Sequence, residues 1–148
     1  MIGIGVIGAG YWGPNLIRNF ADGNDCELVA VADFDEGRLS RIGDSYPGVV
    51  TTTRYRDLLE NDAIQGVALA TPAGTHYELA REILEAGKHA FVEKPLATST
   101  AECRSLVDLA AQKGLVLMVG HVFEYNAAVR QVDEYIKSQE LGEVYYIY

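Results

Sequence analysis

Ile2-Gly3-Ile4-Gly5-Val6-Ile7-Gly8-Ala9-Gly10-Tyr11-Trp12-Gly13 follows the first methionine of the chain. Its first half is an apolar run rich in β-branched residues, the mark of a buried strand. The run leads into Gly8, Gly10 and Gly13, spaced G-x-G-x-x-G. A helical pattern comes next, with Leu16, Ile17 and Phe20 on one face and Pro14 in the first turn, where its missing N–H costs nothing. Strand, glycine turn and helix in this order predict a diphosphate cradle. The first glycine permits the tight turn, the second lets a pyrophosphate approach the backbone, and the third lets helix and strand pack closely. The helix N-terminus then presents free N–H groups and a partial positive charge. A purely packing role for the glycines is the competing reading. Against it, a second strand, Glu27 to Ala32, ends at Asp33, about 20 residues past the last glycine, as a dinucleotide site requires. A carboxylate there accepts hydrogen bonds from the adenosine ribose and repels a 2′-phosphate, which favours NAD. Arg38, just downstream, is placed to approach such a phosphate and keeps NADP possible.

Strand and helix patterns alternate along the rest of the chain. Asp35 is positioned to cap a short helix carrying Leu39 and Ile42. Pro47-Gly48 is a turn, Val49 and Val50 form a short edge strand, and Tyr55 to Glu60 is a brief helix. Ile64 to Ala70 is the fourth strand. Thr75 with Glu78 predicts a capping box for a helix that buries Leu79, Ala80, Ile83 and Leu84 and stops at Gly87. Ala90 to Val92 is the fifth strand. Ser99 with Glu102 predicts a second capping box, on a helix that buries Leu106, Val107 and Ala110 and ends at Gly114. Leu115 to Val119 is the sixth strand, and an amphipathic helix spans about Ala128 to Ser138. The alternation predicts an α/β fold, a doubly wound parallel sheet with helices on both faces. Residues 1–142 form this domain. Residues 143–148 are expected to begin a second, α+β domain with their strand, cut short at Tyr148.

The formal net charge of −9 on 148 residues argues against nucleic acid and anionic membrane surfaces as partners. Cys26 and Cys103 lack metal or redox spacing, and no His, Cys or carboxylate cluster reads as a metal site. The N-terminal apolar stretch is too short to span a bilayer and is broken by glycine. A cytoplasmic location is expected.

In an open parallel sheet, ligands bind outside the carboxyl ends of the strands. Nearly every chemically notable group falls at such an end. Gly8 to Gly13 follows strand one and Asp33 ends strand two. Thr71-Pro72, with His76 nearby, follows strand four. Glu93-Lys94-Pro95 follows strand five. His121, then Tyr125-Asn126, follow strand six. Lys94 is expected to be shielded from solvent, where it either trades a proton with a substrate hydroxyl as hydride moves to a nicotinamide or forms a structural ion pair with Glu93 or another acid. His76 either faces the rim or serves helix capping or cofactor packing. His121 either lines a substrate space or is a satisfied buried histidine. His89, at the start of a strand, is structural. Tyr11 and Trp12 either pack locally or meet a second domain.

Four motifs in this order resemble the N-terminal domain of the Gfo/Idh/MocA oxidoreductases: Gly8-Ala9-Gly10-Tyr11-Trp12-Gly13, Ala70-Thr71-Pro72 with His76, Glu93-Lys94-Pro95-Leu96, and Gly120-His121 with Tyr125-Asn126. The resemblance covers almost the whole chain. It implies a Rossmann domain that binds NAD(P), with Lys94 catalytic and Pro95 and Thr71 beside the nicotinamide. It implies hydride transfer at a carbinol carbon of a sugar, nucleotide-sugar or cyclitol, in a protein that forms homo-oligomers. The Gly-Tyr-Trp-Gly-Pro-Asn loop looks like members associated with nucleotide-sugar metabolism. Two departures stand out. Asn126-Ala127 replaces the family's Asn-Pro, and the family's second domain, which supplies most substrate contacts, is absent. These residues are therefore expected to bind cofactor with little turnover of their own. The alternative is a non-catalytic, stand-alone dinucleotide-binding module used for sensing or assembly.

Overall fold

The computed structural model describes residues 1–146. Six strands and six α-helices alternate. They are β1 (Ile2–Ile7), α1 (Gly13–Ala21), β2 (Cys26–Ala32), α2 (Glu36–Ser45), β3 (Val50–Thr52), α3 (Arg56–Leu59), β4 (Gly66–Leu69), α4 (His76–Glu85), β5 (His89–Val92), α5 (Thr100–Lys113), β6 (Leu117–Val119) and α6 (Ala127–Lys137). The strands form one parallel sheet in the order β3-β2-β1-β4-β5-β6. The chain builds outward from β1 to β3, returns to the middle at β4, and builds outward the other way. The reversal between β1 and β4 is the topological switch point, where such sheets open a crevice.

Side chains on successive strand residues point to opposite faces, and the two cores follow from that alternation. Val6, Val31 and Ala68 face one way, against Leu16 and Ile17 of α1 and Leu39 and Ile42 of α2. Ile7, Ala32, Val67 and Leu69 face the other way, against Ile83 and Leu84 of α4 and Leu106 of α5. A sheet covered on both faces needs apolar residues at nearly every strand position, which β4 shows with all four residues buried.

Several boundaries and one core residue differ from the sequence reading. β3 is centred later, on Val50–Thr52, because the Val49 N–H is taken by Tyr46 in the preceding turn. β6 starts at Leu117. The Leu115 N–H donates to the Ala110 carbonyl to close α5, and the Val116 N–H donates to His89 Nδ1. Val107 is 54% exposed rather than buried. It lies about 100° round the helix from Leu106, and that single step carries it off the face that packs on the sheet. Asp35 caps α2 through the Arg38 N–H, and the Ser99–Glu102 capping box is complete. The Thr75–Glu78 box is not formed. The Thr75 hydroxyl donates to the Pro72 carbonyl, 2.7 Å away, and so completes the turn before the helix instead. Of the expected closing strand, Glu143 to Tyr146 are not in strand conformation, and residues 147–148 lie outside the described residues.

At the end of the sheet opposite the crevice, Lys88 is buried, and its ammonium donates to the carbonyls of Asn61 (2.9 Å) and Ile64 (2.7 Å). Burial pushes this ammonium below the ordinary lysine range, and the nearby Asp62 carboxylate partly offsets the push. Lys88→Met, which takes the ammonium donor from both carbonyls while that of Asn61 keeps the Ile64 N–H, is expected to lower the unfolding free energy by about 1–3 kcal/mol in urea denaturation. Between the folded and unfolded pKa values of Lys88 the unfolded chain binds the proton more readily. Wild-type stability therefore gains as pH rises through that alkaline window. The gain is absent in the variant.

Candidate functional site

The C-terminal ends of β1, β2 and β4 surround a cleft of about 1050 Å³ at the switch point. That size falls at the upper end of the range for small-molecule sites. Its floor is the glycine turn. Gly8 has φ +98°, in the left-handed region, and a Cβ there would lie 2.6 Å from the Ala70 carbonyl oxygen. A Cβ on Gly13 would fall on the Gly8 carbonyl, so α1 sits close against the turn only because both residues are glycine. Over Gly10 the ground is open. The Arg38 guanidinium, 3.6 Å from where a Cβ would stand, is its one neighbour among the described residues. This backbone, bare at the start of a helix, is what a diphosphate needs.

Asp33 reaches across this floor from the end of β2. Its carboxylate accepts the Ala9 N–H at 2.6 Å and the Asp35 N–H at 2.9 Å, which fixes its orientation. A carboxylate has about four acceptor positions, so capacity remains for ribose hydroxyls. Arg38 lies between two acids, 3.5 Å from Asp33 and 3.5 Å from Asp35. Its charge is thus already engaged at the place where a 2′-phosphate would arrive.

The structure gathers Gly8, Gly10, Tyr11, Trp12, Asp33, Thr71 and Pro72 into this one cleft, with Gly13 behind them under α1. Tyr11 is almost fully exposed at the rim. The Thr75 hydroxyl gives its proton to Pro72, so the 2.7 Å contact between Thr71 and Thr75 is donated by Thr71. His76 does not face the cleft. Its ring is 1% exposed, with Nδ1 2.7 Å from the Pro95 carbonyl and Nε2 2.8 Å from the Thr71 carbonyl. It ties the loop after β4 to the loop after β5. The ring thus takes a packing role, outside the cleft lining.

Glu93, Lys94 and Pro95 follow β5 on the same rim, outside the cleft lining. The Lys94-Pro95 bond is cis. Lys94 is exposed, not shielded. The buried position past the strand goes to Glu93, whose carboxylate lies so close under Gly120 that a Cβ there would sit 2.9 Å from Oε1. Glu93 Oε1 is buried and has no hydrogen-bond partner among the described residues. No ion pair joins Lys94 to Glu93 or to any other described residue, which removes the structural ion pair as its explanation. His121 is exposed at the end of β6, so it is not a buried core histidine. Tyr125 is exposed beneath the guanidinium of Arg130, 5.6 Å from the ring centroid. The Asn126 side chain caps α6 by accepting the Ala128 and Val129 N–H groups, so its oxygen is committed to the helix and not turned to a substrate. His89 accepts from Val116 and is structural.

Sequence reasoning missed the far wall of the cleft, formed by Phe34, Thr53, Tyr55, Leu79 and Glu82. No motif marks them. They come from three separate segments that meet only because the chain returns to β4 beside β1. Among the described residues, no three His, Cys, Asp or Glu side chains are grouped to hold a metal, and no helix is long and apolar enough to cross a membrane.

A doubly wound parallel sheet with a bare glycine turn and an acid at the end of β2 defines a dinucleotide-binding domain. The family model described as "Oxidoreductase family, NAD-binding Rossmann fold" matches residues 2–121, and the chain belongs to that family, Gfo/Idh/MocA. It is 32% identical over 142 residues to the dTDP-3,4-didehydro-2,6-dideoxy-alpha-D-glucose 3-reductase of Saccharopolyspora spinosa, covering 95% of this chain and 42% of that protein. Among solved structures it resembles KijD10, a 3-ketoreductase from Actinomadura kijaniata in complex with NADP and TDP-benzene. The TM-score is 0.86 at 30% identity, covering 93% of this chain and 42% of that one. It also resembles GenD2 from gentamicin A biosynthesis in complex with NAD, with a TM-score of 0.89 at 31% identity, covering 94% and 40%. The chain spans about two fifths of the length of these relatives.

Proposed function

We propose that this chain is the cofactor-binding domain of an oxidoreductase that moves hydride between NAD and a carbinol carbon of a sugar, nucleotide-sugar or cyclitol. The observation that carries the reading is Lys94. Among the described residues it has no ion-pair partner, and it stands just past β5 on the rim that holds the glycine turn and Asp33. The bound nicotinamide supplies the hydride chemistry. The bare turn at Gly8 to Gly13 and the first N–H groups of α1 hold the diphosphate. Asp33 holds the adenosine ribose. His76 keeps the Thr71 and Pro95 loops in fixed relation, and the orphaned Glu93 Oε1 is an acceptor for a donor on the incoming cofactor. Lys94 takes the proton from the substrate hydroxyl as hydride leaves carbon, or returns it in the reverse direction. Substrate selection needs contacts beyond these 148 residues, which alone bind cofactor with little turnover. We assign the enzyme to the cytoplasm, where the free thiols Cys26 and Cys103 stay reduced.

Titration of the purified chain with NAD and NADP, repeated on Asp33→Ala, tests the reading. NAD is expected to bind about tenfold more tightly than NADP, because a 2′-phosphate meets Asp33 and must draw Arg38 away from two acids. In the variant the preference is expected to fall to about unity. Equal binding of both cofactors by the unmodified chain would overturn the role of Asp33.

A further inference from the structure

The far wall of the cleft has a chemistry of its own. With a diphosphate over Gly10 and a ribose on Asp33, the lining left for the base of the dinucleotide includes Tyr55, Leu79 and Glu82 and does not include Lys94. Tyr55 and Leu79 are partly buried and pack on the core, so they offer apolar surface to a flat ring. Glu82 is one of the acids in that lining, and the one bonded to Tyr55. Its carboxylate accepts the Tyr55 hydroxyl at 3.0 and 3.2 Å and the Arg56 guanidinium at 3.3 Å. Arg56 also lies over the Tyr55 ring, 4.9 Å from its centroid. Burial first, then the hydrogen bond to Glu82, push the Tyr55 phenol upward, so the proton stays on the oxygen and points at the carboxylate. The dyad is therefore fixed in one sense. Tyr55 spends its only proton within the wall, and Glu82 has none to give. Two protein donors leave part of the carboxylate's acceptor capacity free.

The geometry points to Glu82, held by Tyr55 and Arg56, as the residue that reads the 6-amino edge of the adenine base. The inference rests on the cleft being a dinucleotide site. A 6-amino group donates to the carboxylate, whereas the 6-oxo group of hypoxanthine sets an acceptor against it. The site thus selects adenine over hypoxanthine dinucleotides, a discrimination that neither the glycine turn nor Asp33 makes.

Calorimetric titration of the chain with NAD and with its hypoxanthine analogue, nicotinamide hypoxanthine dinucleotide, tests this. NAD is expected to bind about tenfold more tightly. In Glu82→Gln, whose amide can donate to a 6-oxo group, the ratio is expected to fall toward one. Should that variant fail to fold, as judged by circular dichroism, Glu82→Ala serves in its place. It removes the acceptor altogether and is expected to bring the ratio to about one. Equal binding of the two dinucleotides by the unmodified chain overturns the assignment of Glu82 and leaves the cleft reading standing. So does a ratio unchanged in Glu82→Gln or in a folded Glu82→Ala. Failure of both dinucleotides to bind overturns the cleft reading itself.

Discussion

Lys94→Met in the complete gene product is expected to cut turnover by about two to four orders of magnitude, the range that one positioned acid–base group supplies. NAD affinity is expected to stay within about threefold, because the cleft proposed to take the adenosine half is not lined by Lys94. This split separates a proton-transfer role from a structural one. A lysine that held an ion pair would move stability and leave the chemical step intact. Lys94 has no such partner among the described residues, so its removal orphans no charge. The measurement is steady-state kinetics on a sugar substrate beside an NAD titration of the same preparation. Turnover within threefold of the unmodified protein would end the assignment of Lys94 as proton carrier.

The second large effect separates two glycines that differ in purpose and stand three residues apart in sequence. Gly13→Ala is expected to cost about 1–3 kcal/mol of stability and most of the NAD affinity. The new methyl would occupy the place of the Gly8 carbonyl, so α1 must withdraw from β1 and the diphosphate cradle opens. Gly10→Ala is expected to leave stability unchanged or raised by up to about 1 kcal/mol, because the methyl enters open space and the unfolded chain loses freedom. It is nevertheless expected to weaken NAD at least about tenfold, since that open space is where the diphosphate lies. Urea denaturation and an NAD titration on both variants check the pair. Loss of stability in Gly10→Ala with unchanged binding would show that the turn serves packing and not a ligand.

Much of this was legible before any coordinates, and the reason is local. The glycine spacing, the β-branched run before it and the amphipathic pattern after it are short-range requirements of one strand–turn–helix unit. Asp33 was legible because a strand of predictable length places its end. The Ser99–Glu102 box and the Asp35 cap were legible because a cap involves only residues three apart. The Thr75–Glu78 box has the same spacing and failed, because Thr75 ends the tight turn Ala73–Thr75 with a helical backbone (φ −103°, ψ −7°) and not the extended one an N-cap needs. The solvent exposure of Lys94 was misjudged because the strand's apolar run does not reveal which residue past its end turns inward. Glu93 does.

The sequence by itself determined the class of fold, the place of the glycine turn and the position of Asp33 at the end of β2, since each depends on residues close together along the chain and on the fixed periods of strand and helix. Only the tertiary structure decided that His76 braces two loops, that Lys94 has no ion-pair partner among the described residues, and that Tyr55, Leu79 and Glu82 line the cleft. Those outcomes depend on which segments the reversal between β1 and β4 brings together, and a contact across the sheet leaves no periodic trace in the chain that makes it.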